Sequence, residues 1–255
     1  LHVEQGEIST NAAKLKGGGI YGVLCQLELV DSIVRQNKAG YDGGGVYIES
    51  LSAAAILSTV LVQNVARGNG GGIFSKYCST VEIGGSHLYL NVGAQGGGLY
   101  VEDTLTVPLI ENTAIVQNKA VDGGGGGVMW IATPPTEIGN VRIHNNQAQY
   151  GNNIASGIVA LLTSVQGAIM TSNFLPIVPE IKVSIVDHYG NLVKRRNQAT
   201  TVVATVFSEY CMYRTNDCPT SSLYDAVPEC HNCVGIAQSV FGKPAQEIPG
   251  LAGTV

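Results

Sequence analysis

The chain has 255 residues, a net charge of −5 at pH 7 and 13% charged residues, about half of the ~25% found in an average soluble domain. Its longest basic cluster is Lys194-Arg195-Arg196, so the composition argues against electrostatic capture of nucleic acid, and we expect no nucleic-acid partner. No apolar run reaches the ~18 residues of a membrane-spanning helix, so we expect no direct membrane insertion in this segment. The start at Leu1-His2-Val3 favours an internal or processed part of a longer chain.

An asparagine recurs along the first two thirds of the chain at intervals of 26 to 28 residues. Each one follows an aliphatic residue or methionine by three positions, and most precede a block of glycines by five or six positions. Such a period indicates a repeat architecture, in which one unit is too small to bury its own apolar face. The recurring residues are Asn11, Asn37, Asn64, Asn91, Asn118, Asn146 and Asn173.

The residues between the asparagines predict short strands. A glycine triplet disfavours a helix by about 1 kcal/mol per residue, whereas Val46 to Glu49 and Leu99 to Glu102 alternate in the manner of half-buried strands. The segments around Glu28 and Glu82 and the apolar-x-x-Asn segment give two further strands per repeat. Three strands and three bends in each repeat predict an all-β, right-handed parallel β-helix of about seven coils over residues 1–175, roughly 30 Å long.

The repeated residues have physical roles in such a coil. Stacked asparagine amides bond one another at a spacing of about 4.8 Å, and the glycines permit positive φ and close backbone approach. Stacking also predicts one interior column of apolar side chains. Its members are Ile20, Val46, Ile73, Leu99, Val128 and Ile154.

The pairing of apolar-x-x-Asn with a glycine block, as in Ile115-Val116-Gln117-Asn118 followed by Gly123 to Val128, resembles the repeats of polymorphic outer membrane proteins and related pectin-lyase-like β-helices of large surface proteins. The resemblance covers about residues 1–175 and implies the fold. It does not imply one activity, because adhesins and polysaccharide-cleaving enzymes share this fold. This chain differs from the shorter-coiled members of the family in having a third glycine.

Residues 176–255 predict a second domain, since two prolines in Phe174 to Pro179 end the repeats. Glu180 to Asp187 reads as a strand, and Gly190-Asn191 as a turn before Leu192. This pattern resembles the Ig-like (invasin- or filamin-like) β-sandwich modules that follow β-helix repeats. A sandwich takes about 100 residues, so we expect an incomplete module whose last strands are missing or supplied by another segment.

Six cysteines divide into two groups. Four lie within the second domain and favour two disulfides that staple a long loop, with three possible pairings; a zinc site at Cys230-His231-Asn232-Cys233 is the alternative. Cys25 and Cys78 lie two coils apart, about 10 Å, beyond disulfide reach, and are predicted to be free thiols. The disulfide candidates are Cys211, Cys218, Cys230 and Cys233.

The sequence contains no arrangement that predicts catalysis. Glu49 and Glu102 share a register, but Lys76 lies between them, which favours an exposed charge ladder over a catalytic carboxylate pair. His87 and His144 have unlike positions relative to their asparagines and are interpreted as solvated surface residues. We therefore expect no catalytic residues, no metal and no cofactor.

Strand alternation places four aromatic residues on the outside of the coil if the interior column faces inward. Such a stripe stacks on sugar rings, packs against a neighbouring subunit, or is covered by another part of this chain. No Asn-x-Ser/Thr sequon occurs, so N-glycans do not shield the weakly charged surface. The four residues are Tyr21, Tyr47, Phe74 and Tyr100.

Together these features predict a non-catalytic extracellular or cell-surface protein with a structural or adhesive role, a segment or subunit of a larger surface assembly or filament. The expected partners are copies of itself or neighbouring subunits, with glycans as a further candidate. The alternatives are a polysaccharide lyase or glycoside hydrolase of the β-helix class, and a glycan-binding module without catalysis.

Overall fold

The computed structural model describes residues 1–50, 52–105, 108–163 and 183–193. Every regular element in these ranges is a β-strand, and the strands form a parallel β-solenoid of six coils. The predicted fold class is confirmed, whereas the count of seven coils is one too high. Asn173, the four cysteines of the second domain and most of the predicted Ig-like module lie outside the described residues.

Each of the first five coils contributes strands to four sheets, and not to three as the sequence predicts. Sheet A contains β1 (His2–Glu4), β5 (Gln26–Val30), β9 (Ala53–Leu57), β13 (Thr80–Gly84), β17 (Leu109–Glu111) and β21 (Thr136–Ile138). Sheet B contains β2 (Glu7–Ser9), β6 (Ile33–Arg35), β10 (Val60–Val62), β14 (His87–Tyr89), β18 (Ala114–Val116) and β22 (Arg142–His144).

Sheet C is the one that sequence alternation does not reveal, because its strands are two residues long and show no period. It contains β3 (Ala12–Ala13), β7 (Lys38–Ala39), β11 (Val65–Ala66), β15 (Val92–Gly93) and β19 (Lys119–Ala120). Sheet D contains β4 (Ile20–Val23), β8 (Val46–Glu49), β12 (Ile73–Lys76), β16 (Leu99–Glu102), β20 (Val128–Ile131) and β23 (Ile154–Ser156). The remaining strands, β24 (Ile158–Thr163) and β25 (Val183–Asp187), form a two-stranded sheet.

A residue with positive φ turns the chain at each of the four corners. Three corners use mostly non-glycine residues, such as Gln63 (φ 55) between sheets B and C, a conformation that costs about 1 kcal/mol or more. Backbone hydrogen bonds to the next coil, such as Gln63 N–H to the Tyr89 carbonyl (3.0 to 3.2 Å in this column), hold it there. The fourth corner, between sheets C and D, is turned by Gly17, Gly43, Gly70, Gly96, Gly125 and Gly151.

The interior is filled by apolar columns that run from coil to coil. The predicted column is present in register in sheet D, where Val46, Ile73, Leu99 and Val128 are fully buried. Sheet B adds the apolar residue of each apolar-x-x-Asn motif. These residues are Ile8, Val34, Leu61, Leu88, Ile115 and Ile143.

Each glycine of a triplet is required for a different reason, as the third coil shows. Gly70 has φ +67, and a Cβ there would lie 2.4 Å from the Ile73 carbonyl oxygen. A Cβ on Gly71 would lie 2.4 Å from the Val92 backbone of the next coil. A Cβ on Gly72 would lie 2.6 Å from the Gly98 carbonyl oxygen of the next coil and 3.2 Å from the amide nitrogen of Asn91. The third glycine therefore makes room for the backbone of the next coil first, and also for the asparagine column.

The segment from Ile185 to Val193 belongs to the same compact unit as residues 1–161, although the sequence assigns it to the second domain. Its turn is confirmed: Gly190 has φ +76, and Val186 forms an antiparallel bridge with Leu192. The buried Asp187 carboxylate accepts hydrogen bonds from the backbone N–H of Ser156 and from Asn191. These contacts fasten the turn to the sixth coil.

Gly71→Ala is expected to lower the free energy of unfolding by about 2 kcal/mol or more, because the added methyl group meets backbone that cannot move aside. Gly84→Ala is the control, since a Cβ there meets only the end of the Leu57 side chain at 3.1 Å, and should change it by less than about 1 kcal/mol. Urea unfolding followed by fluorescence of the single tryptophan, Trp130, measures both. Equal effects of the two substitutions would contradict the packing of the triplet.

Candidate functional site

The recurring asparagines form a column of bonded side chains between sheets B and C. Backbone N–H and side-chain Nδ2 of Asn64 both donate to Oδ1 of Asn91, each over 3.0 Å. Nδ2 of Asn64 also donates to the carbonyl of Val34, three residues before Asn37, over 2.9 Å. The same three hydrogen bonds recur along the column from Asn37 to Asn146. They explain the apolar-x-x-Asn spacing, because the carbonyl that accepts from each amide belongs to the apolar residue of the motif in the preceding coil.

The last amide of the column bonds within its own coil. N–H and Nδ2 of Asn146 donate to Oδ1 of Asn153, over 3.3 and 3.2 Å. Asn153 occupies the register of Gly127, the third glycine of the preceding coil. Asn153 thus supplies the acceptor for the last amide of the column within the described residues.

A second bonded column lies at the corner between sheets A and B, and the sequence interpretation missed it. The backbone N–H of Ser32 donates to the Thr59 hydroxyl, and that of Thr59 to the Ser86 hydroxyl, over 3.3 and 3.0 Å. The N–H of Ser86 continues the column to Thr113 over 3.2 Å. The signal was present in the sequence, because each of these hydroxyl residues precedes its asparagine by five positions.

The four aromatic residues stack as parallel rings along the outer side of sheet D, with centroids 4.9 to 5.3 Å apart. Tyr47, Phe74 and Tyr100 are nevertheless buried, and only Tyr21, at 58% exposure, is open to solvent. They share one apolar cluster with Met129, Ala155, Ile185 and Val193. The expectation of an exposed stripe of four rings is therefore wrong, because other parts of the chain pack on this face.

Charged side chains lie beside the rings in the next outward column of sheet D. Lys76 lies in register between Glu49 and Glu102 and binds Glu102 Oε1 over 2.6 Å. The Tyr47 hydroxyl donates to Glu49 Oε2, and Lys16 Nζ approaches both groups. This is the charge ladder that the sequence favours, extended by a lysine that it did not include.

The pKa values of this network follow from its contacts. Burial raises the pKa of the Tyr47 phenol far above its ordinary value, so this group stays protonated. The hydrogen bond from Tyr47, with the nearby charge of Lys16, lowers the pKa of Glu49. The bond to Glu102 raises the pKa of Lys76. All these groups hold the protonation state that favours mutual attraction, which is the behaviour of a structural network.

Cys25 and Cys78 are both free thiols. Cys78 is fully buried, and burial raises the pKa of its thiol. The N–H of Cys25 donates to the Ser52 hydroxyl over 3.1 Å, and the N–H of Ser79 donates to the Ser52 carbonyl. Cys25 therefore stacks with Ser52 and Ser79, one register position away from Cys78.

On the outer faces, His2 lies 2.9 Å from Glu28 Oε2 and 3.7 Å from Glu4 Oε2, whereas the carboxylates and histidines that the sequence singled out lie apart from one another. Glu28 and Glu82 flank Ala55 on sheet A at a shallow depression of about 320 Å³, and two coil steps of about 4.8 Å separate their backbones, slightly beyond the range of an inverting carboxylate pair. His87 and His144 lie exposed in different columns of sheet B. In the described ranges, no group of three or more metal-ligating side chains occurs, and no helix is long and apolar enough to cross a membrane.

Comparison of the chain with protein-family models, with curated proteins and with solved structures found no match. The fold alone therefore defines the class of this protein, which is a parallel β-solenoid repeat protein.

Asn91→Ala is expected to lower the free energy of unfolding by about 3 to 5 kcal/mol, because it leaves the buried N–H of Asn64 and the Leu61 carbonyl without partners. Asn11→Ala is the matched control at the exposed end of the column. It should cost about 1 kcal/mol or less, since the N–H of residue 11 still reaches Asn37 Oδ1. Urea unfolding measures both, and similar values would contradict a stabilising amide column.

Glu49→Gln tests the charged network through pH. Because the pKa of Glu49 is lowered in the folded state, the stabilisation by its charge is present above the ordinary carboxyl pKa and disappears as pH falls through the folded value. The variant should be less stable than the parent by about 1 kcal/mol at pH 7. The difference should disappear as pH falls through the folded pKa of Glu49, below which a protonated glutamate and glutamine are isosteres.

The control for this comparison is Glu82→Gln, an exposed glutamate that makes no ion pair within the described part of the chain. Its effect should be small over the same pH range. A difference between Glu49→Gln and the parent that stays constant as pH falls from 7 through the folded pKa of Glu49 would show that the carboxylate charge contributes nothing.

Proposed function

We propose that this chain is a non-catalytic structural or adhesive protein of the cell surface or extracellular space, and that it forms a segment or subunit of a larger assembly. The observation that carries the proposal is the use of its buried polar groups. The asparagine column and the hydroxyl column both bond backbone groups of neighbouring coils. These buried polar side chains therefore act within the fold, where they hold neighbouring coils together.

The charged groups support the same role. The network of Tyr47, Glu49 and Lys16 is internally satisfied. The raised pKa of Tyr47 and the lowered pKa of Glu49 keep these two groups in the states that attract each other. A general base or acid has a pKa near the working pH. The phenol of Tyr47 has the opposite property, because burial holds it protonated.

The resemblance of the repeats to polymorphic outer membrane proteins, and of Val183 to Asn191 to Ig-like modules, adds the surface location to the proposal. Large surface proteins of that kind combine β-helix repeats with sandwich modules. Disulfides among the four cysteines of residues 211–233 belong to the same proposal, since disulfides persist in oxidising compartments.

The partners in this proposal are further copies of the chain or neighbouring subunits. The outer stripe of sheet D gives less support to glycan binding, because only Tyr21 of its four rings is exposed.

Electron microscopy of the purified chain at high concentration tests the structural role. We expect elongated or laterally associated particles, because unpaired charges on the outer faces favour contacts between copies. Dispersed single molecules at all concentrations would contradict it. Release of new reducing or unsaturated ends from pectin or alginate would instead establish the lyase or hydrolase alternative.

A further inference from the structure

The outer faces of sheets A and C carry opposite charge. The strands of sheet A contain glutamates and no lysine or arginine. Register places these side chains outward, on the columns of Glu28 and of Val30. The acidic residues are Glu4, Glu28, Glu82 and Glu111.

Sheet C and the turn that follows it carry the basic charge. Lys38 and Lys119 project from strands that contain no acidic residue, and both are exposed. Lys14 and Arg67 follow in the adjoining turns and are exposed as well. The same turns contain two acidic residues, Asp42 and Asp122. Asp42 Oδ1 accepts the Asn69 N–H over 2.7 Å, and Asp122 is exposed.

Most of these charges have no ion-pair partner in the part of the chain that the structure describes; Glu4 and Glu28 are the exceptions, since they lie 3.7 and 2.9 Å from the ring nitrogens of His2. None of Glu82, Lys38 and Lys119 takes part in an ion pair there. Along each coil, sheet B separates A from C on one side and sheet D separates them on the other. Among the described residues the two faces of one molecule therefore do not neutralise each other, and a second copy of the chain offers the complementary charge.

We propose that the acidic face of sheet A in one copy binds the basic face of sheet C in the next copy, side by side. The acids occupy the first, second, fourth and fifth coils, and the bases occupy the first, second, third and fifth. Both sets thus extend over about 19 Å along the solenoid axis, at about 4.8 Å per coil.

Such a contact uses two different faces, so it leaves one acidic and one basic face open at the ends and repeats without closing. Each exposed charge pair contributes little, and salt screens it within about 10 Å at 0.1 M. The association is therefore weak, additive over several pairs and sensitive to ionic strength. The inference rests on the proposed structural role and names the partner as a second copy of this chain.

Two charge-reversed variants test the contact. Glu28→Lys with Glu82→Lys cancels the net charge of the four acidic residues on sheet A, and Lys38→Glu with Lys119→Glu cancels that of the four basic residues on the other face. All four side chains are exposed, so folding, checked by circular dichroism and Trp130 fluorescence, should not change. Arg142→Glu with His144→Glu, on the exposed face of sheet B, is the control.

Sedimentation velocity at low salt should show association of the parent chain and of the control, and a loss of at least tenfold in affinity for each reversed variant alone. An equimolar mixture of the two reversed variants should associate again, because the unchanged acidic face of the second variant then meets the unchanged basic face of the first. Salt at 0.5 M should dissociate the parent and the mixture. The first variant brings the net charge closer to zero, which alone favours association. Loss of association by this variant would therefore be a specific effect of the reversed charges on sheet A.

Association of the parent that neither charge reversal nor salt alters would overturn the A-to-C contact and leave the structural role standing. Failure of the mixture to associate would overturn it as well. A parent chain that stays monomeric at every concentration and salt would overturn both this inference and the proposed function.

Discussion

The structure depends on one interaction that repeats along its axis: a buried asparagine amide that bonds three backbone or side-chain groups of adjoining coils. Asn37, Asn64, Asn91 and Asn118 are almost completely buried, in a position where unpaired amides would cost several kcal/mol each. Stacking removes that cost, because the oxygen of each amide accepts two bonds from the amide and backbone of the coil before it. The column therefore requires that every coil places an asparagine above the last.

The glycine block follows from the same requirement. A Cβ on Gly72 would meet the Gly98 carbonyl oxygen at 2.6 Å and the Asn91 amide nitrogen at 3.2 Å, and Gly98 stands in the same relation to Gly127 and Asn118. A side chain at either glycine would therefore press on both the next coil's backbone and the amide column. In the sixth coil Asn153 occupies the corresponding position and accepts the bonds of Asn146.

Coils differ in their number of residues, and the differences are accommodated at the corners and not in the sheets. Leu99 and Val128 are register partners in sheet D and lie 29 positions apart in the sequence, whereas the partners Ile73 and Leu99 lie 26 positions apart. The asparagine interval stays at 26 to 28 residues throughout. Extra residues such as those around Gly123 are therefore accommodated in the turn, where they break no ladder.

Sequence periodicity was sufficient to predict the solenoid, its interior column and the asparagine stacking, because each depends on residues that recur at one interval. It missed sheet C, since two-residue strands such as Lys38–Ala39 carry no alternation. It also missed the burial of Tyr47, Phe74 and Tyr100, because the residues that pack with them, Ile185 and Val193, are distant in sequence. The charges of sheets A and C were visible as residues, but their segregation required the register of four sheets.

Hydrogen exchange of individual backbone amides provides the most direct measurement of the amide column. The N–H groups of Asn37, Asn64, Asn91 and Asn118 lie at a corner, and each donates to a side-chain oxygen instead of a strand. If the column holds the coils together, they exchange as slowly as the central amides of sheets B and D, by global unfolding alone. Exchange near the rate of an unstructured chain would show that the asparagine column does not hold the coils together and that other interactions stabilise the solenoid.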